Sequence, residues 1–100
     1  MTHTIMSKEQ CLLPMLKNKV AVVTGGGSGI GRAGAIAMAR HGAQVIITDR
    51  DCEKANQVTL ELEKEGFQAI SAKLDVTNDL EVNELIKKIV KTYGRLDILH

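Results

Sequence analysis

Aromatic side chains are nearly missing from this chain: one Tyr, one Phe and no Trp in 100 residues. Without stacking platforms, a surface for single-stranded nucleic acid is not expected. An excess of charge of either sign is also lacking. Lys and Arg total 13 against 12 for Asp and Glu, a formal net charge of +1, so nothing selects for nucleic acid or an acidic surface as partner. Cysteine is sparse: Cys11 and Cys52 lie far apart, which makes neither a disulfide framework nor a metal site and suits a reducing, cytoplasmic setting. No run approaches the ~20 apolar residues that span a bilayer. Residues 1–17 include His3, Lys8, Glu9, Gln10 and Pro14; they read as a loose leader before the first strand rather than a signal peptide.

What is present is an ordinary globular composition, 44% apolar and 25% charged, at a length that allows one domain with a modest core. Short apolar runs alternate with helical periods. Val20 to Thr24 is continuously apolar up to its final Thr, the pattern of a strand buried on both faces. After a glycine-rich stretch, Ile30 to His41 reads as an Ala-rich helix with Gly42 as its C-terminal cap. Ala43 to Thr48 is a second strand. Asp51 can cap a second helix, which ends at Gly66 and carries Ala55, Val58 and Leu62 on one face. Gln68 to Leu74 is a third strand. Thr77 or Asn78 starts a third helix, with Val82, Leu85, Ile86, Ile89, Val90 and Tyr93 at helical spacing, ending near Gly94. Leu96 to Leu99 begins a fourth strand. This β-α-β-α-β-α-β order predicts an α/β, Rossmann-type doubly wound parallel sheet, truncated after the start of its fourth strand, with strand order 3-2-1-4. Residues 18–100 form this incomplete half-domain.

The stretch from Thr24 to Gly31 follows a strand and opens a helix. Gly25 allows a tight turn, Gly29 lets a phosphate approach the backbone, and Gly31 lets the helix pack closely on the strand. The helix N-terminus then offers free N–H groups and a partial positive charge to a pyrophosphate. The bland alternative is a merely flexible turn. A P-loop does not fit, because Arg32 and Ala33 stand where Lys and Ser or Thr are needed. Asp49, after the second strand, is placed to accept hydrogen bonds from ribose hydroxyls; otherwise it is a solvated loop charge. Asp75, after the third strand, borders the same crevice, or else simply serves a turn.

Together these residues resemble the short-chain dehydrogenases/reductases. The Thr-Gly-x-x-x-Gly-x-Gly signature of that family stands at Thr24 to Gly31. Its Leu-Asp-Val phrase is Leu74-Asp75-Val76, and its Tyr-Gly-Arg-Leu-Asp-Ile-Leu phrase runs from Tyr93 to Leu99. The resemblance spans Leu13 to His100. It implies that Gly25, Ser28, Gly29, Ile30 and Gly31 line the pyrophosphate, that Asp49 takes the ribose hydroxyls with Arg50 beside it, and that Asp75 and Val76 flank the adenine. It further implies NAD as the preferred cofactor, with NADP as the alternative, and hydride transfer between nicotinamide and a small alcohol or carbonyl substrate in a homo-oligomeric parent.

Three departures qualify the resemblance. Asn18 replaces a common glycine before the first strand. Gly34 interrupts the first helix where the family carries a larger apolar residue, at a cost of about 1 kcal/mol relative to Ala. The catalytic Ser and the Tyr-x-x-x-Lys of the family have no counterpart: Tyr93 is the one tyrosine, and four residues on stands Asp97. No residue of this chain is therefore assigned to catalysis or to a metal. His100 lacks a partner for acid–base work, His41 sits in the last turn of a helix where positive charge is favourable, Cys52 reads as a packed or surface thiol, and Lys87, Lys88 and Lys91 form a solvated helix face. Two functions remain open: an N-terminal part of an oxidoreductase, inactive by itself, or a stand-alone nucleotide-binding or interaction module.

Overall fold

The computed structural model describes residues 16–100, so most of the expected leader, with Cys11, lies outside the described residues. Seven elements follow in strict alternation: β1 (Val20–Val23), α1 (Gly29–Arg40), β2 (Gln44–Asp49), α2 (Cys52–Lys64), β3 (Ala69–Lys73), α3 (Asp79–Tyr93) and β4 (Ile98–Leu99). The four strands form one parallel sheet in the order β3-β2-β1-β4, as the alternation predicts. The reversal of order falls beside β1, whose C-terminal end feeds the glycine loop.

Burial explains why β1 carries no alternation: all four of its residues are buried, because helices lie on both faces. Beneath α1 and α2, Ala21, Val23, Val45 and Ile47 of the sheet meet Ala35, Ala55, Val58 and Leu62. On the other face Val20, Val22 and Ile46 meet Ile89 of α3. The two faces are unequally covered. The α2 stripe is fully buried, whereas in α3 only Ile89 is, and Val90 is 44% exposed.

Element ends follow their capping chemistry. Asp51 accepts from the N–H groups of Glu53 and Lys54, and Asn78 from that of Glu81, so α2 and α3 start where side-chain acceptors occur. Asn78 rather than Thr77 is the cap of α3. β4 is shorter than the expected Leu96 to Leu99. Leu96 packs into the core cluster under α3, and the Asp97 carboxylate accepts from the Val20 N–H at 2.9 Å and from Arg95 at 2.8 Å, an anchor that precedes regular pairing. Leu16, at the end of the expected leader, donates its N–H to the His41 carbonyl at 2.8 Å and packs on the core. Asn18 adopts a left-handed φ of 68°, a conformation that Asn tolerates best among residues other than glycine.

Candidate functional site

The glycine loop sits at the C-terminal end of β1, tied to its neighbours by backbone bonds. The Gly26 N–H donates to the Thr48 carbonyl at 2.9 Å, and the buried Thr48 hydroxyl donates to the Val23 carbonyl at 2.8 Å. Thr24 holds the His100 carbonyl with both its N–H and its hydroxyl. Gly25 and Gly29 take left-handed φ values of 62° and 59°, conformations that glycine adopts at no steric cost. A Cβ at either would meet nothing within 4 Å, so the surface in front of the loop is open to a ligand. Gly31 is constrained from the other side: a Cβ there would lie 2.2 Å from the Gly25 carbonyl oxygen. Thus the first turn of α1 closes directly onto the loop, as the third glycine of the signature requires.

The start of α1 differs chemically from the other two helix starts. Ser28 is its N-cap, but the hydroxyl makes no capping bond, and the first turn holds no acid. A helix start leaves up to four N–H groups without intrahelical partners. In α2 and α3 side-chain acceptors engage some of them. In α1 they face the loop with the positive end of the helix dipole.

Asp49 ends β2 beside this loop. Its Oδ2 accepts from the Gly27 N–H at 3.1 Å, and its Oδ1 from the Asp51 N–H at 2.9 Å. A carboxylate has about four acceptor positions, so capacity remains for a ligand hydroxyl. Arg50 and Lys73, both exposed, line two adjoining cavities of about 500 and 540 Å³ at this edge, and Asp75 and Glu81 complete the first. Asp75 accepts from the Thr77 hydroxyl at 2.6 Å and the Thr77 N–H at 2.9 Å. These bonds hold its carboxyl below the ordinary carboxylate range, the nearby Arg50 charge acting in the same direction. Val76 is 51% exposed and shares an apolar groove of about 260 Å³ with Thr24, Val22, Leu85 and Ile86.

All nine sequence-derived site residues therefore lie on the C-terminal edge of the sheet. Asp49 is bonded to the loop through the Gly27 N–H. Arg50 and Asp75 share a cavity, Val76 opens onto a groove on the α3 side, and the Ile30 side chain is 83% exposed. Three contributors escape pattern reading. Gly26 packs against Ile47, Gly27 packs against Lys54 of α2, and Thr48 locks β1 to β2. Only the tertiary approach of β2 and α2 gives them roles; the one sequence signal is that the glycine run is longer than the signature needs. Tyr93 lies at the opposite end, packed on the core under α3 and lining a 770 Å³ cavity with Lys17, Gly42 and Gly66. That cavity is more voluminous than those at the loop. It faces the N-terminal ends of the strands, however, where parallel sheets of this kind do not bind cofactors.

The short chain dehydrogenase family profile matches residues 19–100. An uncharacterized oxidoreductase of Staphylococcus aureus strain USA300 is 44% identical over 87 residues, 87% of this chain and 37% of that protein. The short-chain dehydrogenase/reductase homolog YusS of Bacillus subtilis strain 168 is 40% identical over 83 residues, 82% of this chain and 76% of that protein. Among solved structures, a hydroxysteroid dehydrogenase from Escherichia coli superposes with a TM-score of 0.80 at 37% identity, covering 84% of this chain and 36% of that one. The chain thus spans little more than a third of the Staphylococcus relative and of that solved structure.

Proposed function

The chain belongs to the short-chain dehydrogenase family, and we propose that it forms the adenine-dinucleotide-binding part of an NAD(P)-dependent oxidoreductase acting on a small alcohol or carbonyl compound. The observation that carries the proposal is the start of α1: backbone donors without a side-chain cap, facing a glycine loop whose outer surface is open. That arrangement fits a pyrophosphate. Gly25, Ser28, Gly29, Ile30 and Gly31 line it; Asp49 accepts from the ribose hydroxyls with Arg50 beside it; Asp75 and Val76 flank the adenine. When bound, the nicotinamide supplies the hydride acceptor or donor.

NAD is the preferred cofactor. The Asp49 carboxylate repels a 2′-phosphate and bonds a free 2′-hydroxyl, and the position before Gly29 is the neutral Ser28. Arg50 and Lys73 oppose this by offering cations to a phosphate, but neither is bonded to the loop, whereas Asp49 is. Calorimetric titration of the protein with NAD and NADP tests the proposal: NAD binds more tightly. Tighter NADP binding with Asp49 intact overturns the preference, and binding of neither overturns the site. The chain alone turns over no alcohol, because it holds no counterpart of the family's Ser, Tyr and Lys; losing positioned acid–base groups costs about 10² to 10⁴ in rate.

A second reading, a short nucleotide-binding module without catalysis, is favoured by one finding: the match to YusS covers 76% of that protein. Steady levels of a protein of this length in its native cells would support the module. Finding only a longer form, with Tyr-x-x-x-Lys after residue 100, supports the oxidoreductase. Balanced charge and scattered thiols fit a cytoplasmic protein in either case.

A further inference from the structure

We infer that Asp49 is a positioning residue for the glycine loop, independently of any bond it makes to a ribose. The inference deepens the nucleotide-binding reading above and rests on it for its binding arm alone. Four contacts close a ring around the carboxylate. Gly27 donates to Oδ2 at 3.1 Å and Asp51 to Oδ1 at 2.9 Å. Asp51 in turn accepts from the Lys54 N–H at 3.4 Å as the cap of α2. Lys54 closes the ring by packing against Gly27, where a Cβ would fall 2.5 Å from the Lys54 Cβ and 2.9 Å from its carbonyl carbon. Gly27 is therefore held between a backbone that cannot yield and a carboxylate that pulls on its N–H. The Asp49 carbonyl also accepts from the Leu74 N–H at 3.1 Å, so one residue joins the segments that follow β1, β2 and β3.

This has a chemical consequence of definite sign. A fixed negative charge beside a pyrophosphate is unfavourable by Coulomb's law. If Asp49 acted only on the ribose, removing it would leave unchanged, or strengthen, the binding of a nucleotide diphosphate that lacks ribose hydroxyls. If Asp49 holds the loop in its binding shape, removing it weakens that same ligand. It follows that exchanging Asp49 to admit a 2′-phosphate also loosens the phosphate cradle, so a switch of cofactor needs a second change that restores the Gly27 tie.

The test compares the full chain with Asp49→Ala and Asp49→Asn. Without nucleotide, amide hydrogen exchange at Gly27 and Asp51 rises about tenfold in Asp49→Ala, the loss expected for a bond to a charged acceptor, while the β1 and β2 amides stay as they were. Asp49→Asn, which keeps one acceptor oxygen, restores part of the protection. With ADP and 2′,3′-dideoxy-ADP as probes, Asp49→Ala binds the dideoxy compound about tenfold more weakly than the parent does. Unchanged exchange at Gly27, exchange that rises equally in the strands, or dideoxy-ADP binding that is equal or tighter, each overturns the inference. If the unsubstituted chain binds neither probe, the nucleotide-binding reading fails, and the exchange arm still decides the tie.

Discussion

Gly31 and Gly34 lie on one helix yet answer substitution in opposite ways, because their surroundings differ. At Gly31 a methyl group would strike the Gly25 carbonyl oxygen at 2.2 Å, backbone against backbone. Gly31→Ala is expected to lower stability by about 1–3 kcal/mol, an overpacking cost, and to weaken nucleotide binding, read by urea denaturation and by titration with ADP. At Gly34 a Cβ would lie 3.7 Å from the His100 imidazole and 4.0 Å from Met38, ordinary contact. Gly34→Ala is therefore expected to stabilise the chain by about 1 kcal/mol through the helix-propensity difference. A loss of stability on this change would show that the space is not free. The signature glycines 25, 29 and 31 were legible in the sequence because turn, ligand approach and helix packing each act within the loop and the helix start that follows it. Gly27 was not, because its constraint comes from Lys54, on a helix that follows the next strand. Asp49 was half legible: its place after β2 marks a ribose partner, but nothing in the pattern shows that its carboxylate is already tied to the loop.

Among the elements, the segment from α3 to β4 depends most on charge. Asp97 is held below the ordinary carboxylate range, first by the Arg95 guanidinium and then by the Val20 N–H, and Asp75 by Thr77. A carboxyl whose folded pKa lies below its unfolded one, about 3.9 for Asp, stabilises the fold above that unfolded value and loses the contribution as pH falls through the folded pKa. Acid should therefore loosen the attachment of β4 to β1 and the turn before α3 below about pH 4. Both groups keep access to solvent, which screens them, so the effect is small. NMR titration checks it: in Thr77→Ala the Asp75 carboxyl titrates at higher pH than in the parent, whereas an unchanged midpoint would remove Thr77 as the cause. The existence and order of all seven elements followed from periodicity. Their ends did not where side chains intervened: Asp97 spends its carboxylate on Val20 and Arg95, so regular pairing in β4 begins at Ile98, two residues after the expected Leu96.

For the molecule as a whole, the parallel sheet and its order were predictable from the alternation of strands and helices and the handedness of the crossovers. The uneven cover of its two faces was not. It depends on which stripe residues find partners, and in α3 most stay partly open. Ile70, Val90 and Leu99 are 44%, 44% and 57% exposed, and β4 leaves an outer edge without a strand partner among the described residues. Each ~100 Å² of apolar surface left in water forgoes about 2.5 kcal/mol, against a total margin of ~5–15 kcal/mol for a whole domain. The isolated chain is accordingly expected to be marginally stable and to self-associate through this face and edge. Sedimentation over a range of concentrations and urea denaturation check this: a monomer with one cooperative transition of ordinary stability would refute it.

The central claim is that an adenine dinucleotide sits on the glycine loop at the C-terminal ends of the strands, not in the more voluminous cavity at the other end. Mapping backbone amide shifts of the full chain during a titration with NAD tests this most directly. The account predicts saturable shifts at Gly25 to Gly31, Asp49, Arg50, Asp75 and Val76, with Gly42, Gly66 and Tyr93 unmoved. Shifts confined to Gly42, Gly66 and Tyr93, or a glycine loop that stays silent at saturating NAD, would contradict it.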